Sequence, residues 1–264
     1  KYKALFFLLF LPSLVISQQA WNKIDFSLSN NSFSSKIVGE EFYERVTVKT
    51  SAIISNLKNQ EEQFLILPNE KGDEETFSVV LAPILSLSLS EKYPNIKTYI
   101  GQSISRSNVR ARISLHSNRV NAWIKLPEGP DFFVQPVKGK KNLHFTYLKT
   151  KTDLSMSLFC KTNNSVNKRK ITGKASKINV VNDQLRIFRI AIAATVEFTN
   201  FFGDDDNSNG SNKEDAYGAV VSSLNRISSV FEDELSIRLE LVSDESLIYE
   251  GEGASNSMQD ADPF

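Results

Sequence analysis

The amino-acid sequence predicts an α+β protein, β-rich through residue 160 and then opening a strand-helix-strand segment of α/β type. Three observations predict it. Short runs of β-branched and aromatic residues, bounded by turn residues, dominate the stretch before residue 160. A polar, basic stretch with little apolar periodicity then occupies 161–183. Beyond it the pattern passes from near-alternation to spacings of three and four, and back again.

Composition sets the outer bounds. With 264 residues, 41% hydrophobic and 23% charged, the chain suffices for one large or two ordinary domains and matches neither a disordered chain nor a membrane bundle. Thirty-one Lys and Arg balance 31 Asp and Glu, so no net field recruits nucleic acid or an anionic surface. No nucleic-acid partner is expected.

The first element is KYKALFFLLFLPSLVISQQ. Lys1 and Lys3 precede an apolar run over 4–16 that Pro12 interrupts, and Val15 and Ser17 stand where a signal peptidase prefers small or apolar residues. A secretory signal peptide is therefore expected over 1–17, with an uncleaved anchor as the alternative. The run is shorter than the roughly 20 apolar residues of a membrane span. The chain begins without Met, which predicts that residues ahead of Lys1 are missing.

A Ser- and Asn-rich lead follows, and then the β-rich region, 18–160 in all. ERVTVKTSAII and EQFLILP are expected strands, and VRARISLHSNRVNAWIKLP reads as two strands around a turn at Ser117 to Arg119. These predict a sandwich-like or rolled sheet. In FSVVLAPILSLSLSEKYPNIKTYIGQ a short helix is expected just before Tyr93 and Pro94, because the residue ahead of a proline is disfavoured in helix. Trp21, Trp123, Phe132 and Phe133 read most simply as core or sheet-surface aromatics, with a ligand groove as the alternative.

Residues 161–183, with Lys168, Arg169 and Lys170 at their centre, are expected to be an exposed linker. The α/β segment is placed at 184–264. Leu185, Ile187, Phe188, Ile190 and Ile192 put apolar residues on both faces of one strand, as in a central sheet covered by helices. Val220, Leu224, Ile227 and Phe231 recur at spacings of four, three and four, predicting an amphipathic helix over 216–234. LSIRLELV is the second strand. If later strands are needed to cover this helix, Val220, Leu224 and Phe231 should stay partly bare.

FRIAIAATVEFTNFFG, AVVSSLNRISSVFEDELSIRLELV and SLIY resemble, in that order, the start of the reprolysin-like zinc metallopeptidase domain, a metzincin type of secreted bacterial proteins. FLILPNEKG, LAPILSLSLSEKYPNIKTYIGQ and VRARISLHSNRVNAWI are similar to the pro-region ahead of that domain. The resemblance implies a secreted endopeptidase precursor acting on proteins or peptides, with a β-rich pro-region folded against its own peptidase domain, here truncated. A secreted, non-enzymatic β-sandwich for binding or adhesion is the alternative.

Such enzymes hold zinc with H-E-x-x-H and a third His, two His one turn apart sharing a helix face. This chain has only His116 and His144, both expected as ordinary strand residues, so it contains no catalytic zinc site and is expected to be inactive alone. Zinc belongs to the full-length parent. Asp205, Asn207 and Asn209, followed by Gly210, match the first half of a calcium loop, but Ala216 stands where its bidentate Glu is required. A solvated acidic turn is the alternative.

Cys160 is the only thiol, at the end of the β-rich region. Its thiolate would suit the open zinc position of the parent enzyme, and related zymogens use such a switch, although Phe-Cys-Lys lacks a switch consensus. A buried free Cys, or a disulfide to a cysteine beyond Phe264, are the alternatives. In the complete precursor, Cys160→Ala should release peptidase activity with the pro-region still attached. A latent variant would exclude the switch.

Overall fold

The structure is a computed structural model that describes residues 20–25, 63–116, 119–137, 140, 142–149, 184–203 and 211–251, and the backbone of 41–45. The fold is β-rich α+β. The expected signal peptide, most of ERVTVKTSAII, Cys160, the expected linker at 161–183, and Asp205, Asn207 and Asn209 lie outside the described residues.

Among the described residues nine strands make one antiparallel sheet: β1 (Trp21–Ile24), β2 (Glu41–Arg45), β3 (Gln63–Pro68), β4 (Glu74–Leu81), β5 (Ile96–Ser103), β6 (Arg110–His116), β7 (Arg119–Lys125), β8 (Phe132–Pro136) and β9 (Leu143–Leu148). Their spatial order is β1-β2-β9-β8-β7-β6-β5-β4-β3, so β3 to β9 form a meander to which β2 and β1 are added beyond β9. Whereas the connection between β4 and β5 carries a helix, several others between neighbouring strands are short. Between β3 and β4, for example, the Asn69 side chain accepts from the amides of Lys71 and Asp73 at 2.9 Å each, and Gly72 takes a positive φ of 86° that an L side chain resists.

The sheet is rolled. Alternate residues point inward, and across the strands Val79, Gly101, Ala111, Ile124 and Phe132 fall in register as one interior row. Small residues sit where the roll is tight: a Cβ at Gly101 would lie 3.3 Å from Ile113 Cδ1. The two edges of the sheet meet through Trp21. Its indole N–H donates to the Ile66 carbonyl at 2.8 Å, its amide donates to the Glu74 carboxylate at 2.8 Å, and its ring is buried in the same interior cluster as Leu65 and Leu67. This closure limits the exposed edge that an open antiparallel sheet would present.

The C-terminal elements are β10 (Arg186–Ile190), a helix at Val196–Phe202, a helix at Asn212–Leu235 and β11 (Ile237–Leu241). Strands β10 and β11 pair in parallel, Arg186 opposite Ile237 through Ile190 opposite Leu241. The helix between Tyr93-Pro94 and β4, at Leu87–Lys92, is named α1, and the two later helices α2 and α3. Helix α3 begins at Asn212, four residues before the expected 216, because Ser211 caps it by accepting from the Glu214 amide at 3.2 Å. The Ser211-x-x-Glu214 spacing was the available signal. Helix α2 is likewise an addition to the expected strand and loop, started by Thr195, whose side chain accepts from the Phe198 amide.

The expectation that Val220, Leu224 and Phe231 stay partly bare holds for Phe231 and is overturned for the other two. Val220 and Leu224 are fully buried, and only the end of α3, with Ile227, Val230, Phe231 and Leu235, stays bare. Their cover comes from the β-rich region. The β4–β5 connection leaves the sheet, and its Ile84, Leu85, Leu89 and Tyr93, with Ile96 of β5, join Ala216, Tyr217, Val220, Val221, Leu224, Leu239, Leu241 and Ile248 in a second core.

Because Trp21 joins the two edges, Trp21→Ala should cost about 3–5 kcal/mol in denaturant unfolding. Trp21→Phe keeps most of the packing and should cost less, chiefly the indole hydrogen bond to Ile66, about 1 kcal/mol. Equal losses for the two variants would show that the ring's bulk is not what joins the edges.

Candidate functional site: a polar interface between sheet and helix

Strand β6 is buried on both faces. Ala111, Ile113 and Leu115 point into the roll, while Arg112, Ser114 and His116 point outward and are covered by α3. The matching side of α3 is polar and runs along the helix at spacings of three and four: Asp215, Gly218, Ser222, Asn225, Ser229 and Glu232. Its neighbouring apolar side faces the second core. Helix α3 therefore has two buried faces of opposite character.

Contacts across this interface are charge pairs and hydrogen bonds. Arg112, with 8% of its side chain exposed, donates to Glu232, at 11%, and Arg238 donates to the other Glu232 oxygen at 2.8 Å. Burial alone would raise the Glu232 carboxyl, but the bonds from Arg238 and Arg112 outweigh it and hold it below the usual carboxylate range. Asn225 Nδ2 donates to the Ile113 carbonyl at 3.1 Å and to Ser114 Oγ at 3.0 Å. Arg119 pairs with the buried Asp215 at 3.0 Å, and Lys125 pairs with Asp233 at 2.5 Å.

Near one end of the interface lies His116. Its Nε2 is 3.8 Å from Glu214 Oε1, and this contact, against some desolvation, holds the Glu214 carboxyl below its ordinary range. Its ring rests on Gly218, where an added Cβ would lie 2.3 Å from Nδ1. Glycine at 218 is what lets the ring and the helix approach so closely.

His144 is a different case. Its Nε2 accepts from the Val120 amide at 3.1 Å, so the ring proton sits on Nδ1 and is directed at the Asn142 carbonyl, 3.0 Å away. Both nitrogens are occupied, and the ring is buried edge-on to Trp21 with centroids 5.0 Å apart. The two histidines are strand residues on different faces of the roll. They do not fit a zinc site: one is fully hydrogen-bonded, and the other is wedged between sheet and helix. Among the described residues no three His, Cys, Asp or Glu side chains gather to hold a metal.

The expected aromatics divide. Trp21 and Phe132 are interior, whereas Trp123, Phe133, Tyr147 and Phe145 stack face to face across the outer surface of β7, β8 and β9, with centroids 6.2, 5.0 and 5.7 Å apart. Lys125 lies over Trp123 at 4.6 Å, and Arg226 of α3 lies over Phe133 at 5.5 Å. Ring faces within the row are occupied by one another, so the row stabilises the sheet and anchors α3.

Sequence reasoning missed the interface itself. Alternating Arg110, Arg112, Ser114 and His116 mark a polar face, which is the ordinary signature of solvent; only the equally polar stripe on α3 hints that the two meet. Gly218→Ala should raise intrinsic helix propensity by about 1 kcal/mol. Here it should destabilise the protein, because the methyl displaces the His116 ring. Adding His116→Ala should relieve that loss, and denaturant unfolding of the single and double variants gives the coupling. Additive effects would show that the ring and the helix do not depend on each other.

No family model and no curated protein matches the chain, and what it does has to be read from its own residues.

Proposed function

We propose that the chain is the N-terminal part of a secreted zinc-dependent endopeptidase precursor of the reprolysin-like metzincin type, its β-rich region being the pro-region and its C-terminal elements the start of the peptidase domain. The observation that carries this reading is β10. Ile187 and Phe188 lie on opposite faces of that strand and are 62% and 52% exposed, and Leu185 beside them is 45% exposed. Its partner β11 occupies one edge, and among the described residues no strand pairs with the other. A strand apolar on both faces belongs in the middle of a covered parallel sheet. This one sits at the outer edge of a two-stranded sheet with apolar residues bare on both faces. The exposure of β10 supports reading it as the first strand of a larger α/β domain.

The resemblance of 188–203, 219–242 and 246–249 to the opening of the peptidase domain supplies the chemistry. In this reading zinc and its ligands belong to the continuation of the domain, as does cleavage of protein or peptide substrates, and the product is secreted or held at the cell surface. The residues present supply the frame: β10 and β11 for the sheet, and α3 held against the β-rich region by the Arg112–Glu232–Arg238 cluster.

Reading and expressing the open reading frame beyond Phe264 tests the proposal. Expected is H-E-x-x-H-x-x-G-x-x-H within the rest of a normal-sized domain, and peptide-bond hydrolysis abolished by a zinc chelator. A stop codon shortly after Phe264, or an unrelated module there, overturns it.

A further inference from the structure

The β4–β5 connection begins and ends in the rolled sheet but serves the other half of the molecule. Its base is fixed: the Ala82 amide donates to the Thr98 carbonyl at 2.9 Å, Thr98 Oγ1 donates back to the Ala82 carbonyl at 2.6 Å, and the Ile84 amide donates to Thr98 Oγ1 at 3.2 Å. Beyond that base the chain runs parallel to β11. Leu241 donates its amide to the Ile84 carbonyl at 2.7 Å, and Ser86 donates to the Leu241 carbonyl at 3.1 Å. Residues 84–86 thus occupy the edge of β11 that β10 leaves open.

Helix α1 and Tyr93 complete the seat. Ile84, Leu85, Leu89, Tyr93 and Ile96 are all buried among side chains of α3 and β11. The Tyr93 and Tyr217 rings lie 4.7 Å apart, the Glu245 amide donates to the Tyr93 hydroxyl at 3.4 Å, and Lys92 pairs with Asp244 at 3.1 Å. The C-terminal elements are therefore held in two ways: by the polar side of α3 on β6, and by this apolar, strand-paired arm.

We propose that residues 82–96 are a docking arm, and that the β-rich region grips the C-terminal α/β elements as a separable partner that stays bound when the backbone between them is cut. The arm dominates over the polar interface. The more exposed charge pair of the polar side, Lys125–Asp233, is screened as salt rises, the buried Arg112–Glu232 pair much less, and buried apolar side chains and backbone pairing not at all. Salt is therefore combined with removal of Arg112 to separate the two grips. The inference uses only contacts within this chain and stands whether or not the C-terminal elements belong to a peptidase. If they do, removal of the pro-region takes more than scission of the linker.

The test uses the full chain with a recognition sequence for a site-specific protease inserted between Lys161 and Asp183. After cleavage, the two pieces should co-elute in size exclusion at about 1 µM protein, both at low ionic strength and in about 1 M NaCl. Separate elution at low salt overturns the proposal. Co-elution at low salt with separation at high salt also overturns it, assigning the grip to the polar side of α3. Leu89→Ala in the cut protein should weaken association about 30-fold or more, and Arg112→Ala should not release the pieces at either salt. Release by Arg112→Ala, or unchanged affinity with Leu89→Ala, overturns the arm as the anchor.

Discussion

Two backbone hydrogen bonds, from the Leu241 amide to the Ile84 carbonyl and from the Ser86 amide to the Leu241 carbonyl, tie the C-terminal strands to the rolled sheet. Much of the remaining arrangement depends on them. They set the position of α1, and with it Leu89 and Tyr93, over the apolar side of α3. They also leave β10 as the outer strand. A two-stranded parallel sheet with one crossover is too small to be stable alone, and parallel strands rely on cover from both faces. Here one face and one edge are supplied by a segment that lies about 155 residues earlier in the chain.

The two faces of α3 divide the work between cohesion and placement. Its apolar side builds a core with β11 and the arm, and this supplies non-directional stabilisation in proportion to area. Its polar side cannot do that. Arg112 and Glu232 lose most of their hydration on meeting, and their attraction roughly offsets that loss only because Arg238 contributes a further bond to the same carboxylate. What such an interface provides is register. Asn225 on the Ile113 carbonyl, Asp215 on Arg119 and Gly218 under His116 are satisfied together in one rotation and one axial position of the helix.

A functional consequence follows from this geometry within the proposed precursor. The β-rich region does not merely precede the α/β elements in sequence; it contributes to their core and covers the strand edge opposite to the one on which the domain would continue to grow. The open side, with Ile187 and Phe188 bare, and the occupied side, with residues 84–86, lie on the two edges of the same small sheet. A partner seated on the second edge leaves the first free for further strands.

Local signals determined a good deal of this protein. The strands at 63–68, 110–116 and 119–125, the short helix before Tyr93-Pro94, and the strand-helix-strand order after 184 are all legible in the sequence, because alternation, three-and-four spacing and proline act within a few residues. Other features were decided by tertiary structure alone. Nothing local says that Trp21 reaches Ile66, that Leu85 pairs with Leu241, or that Arg112 and His116, on what reads as a solvent face, are buried under a helix more than 90 residues away. A polar face looks the same in sequence whether it meets water or another polar face, since both satisfy the same donors and acceptors; only the fold determines which of the two is present.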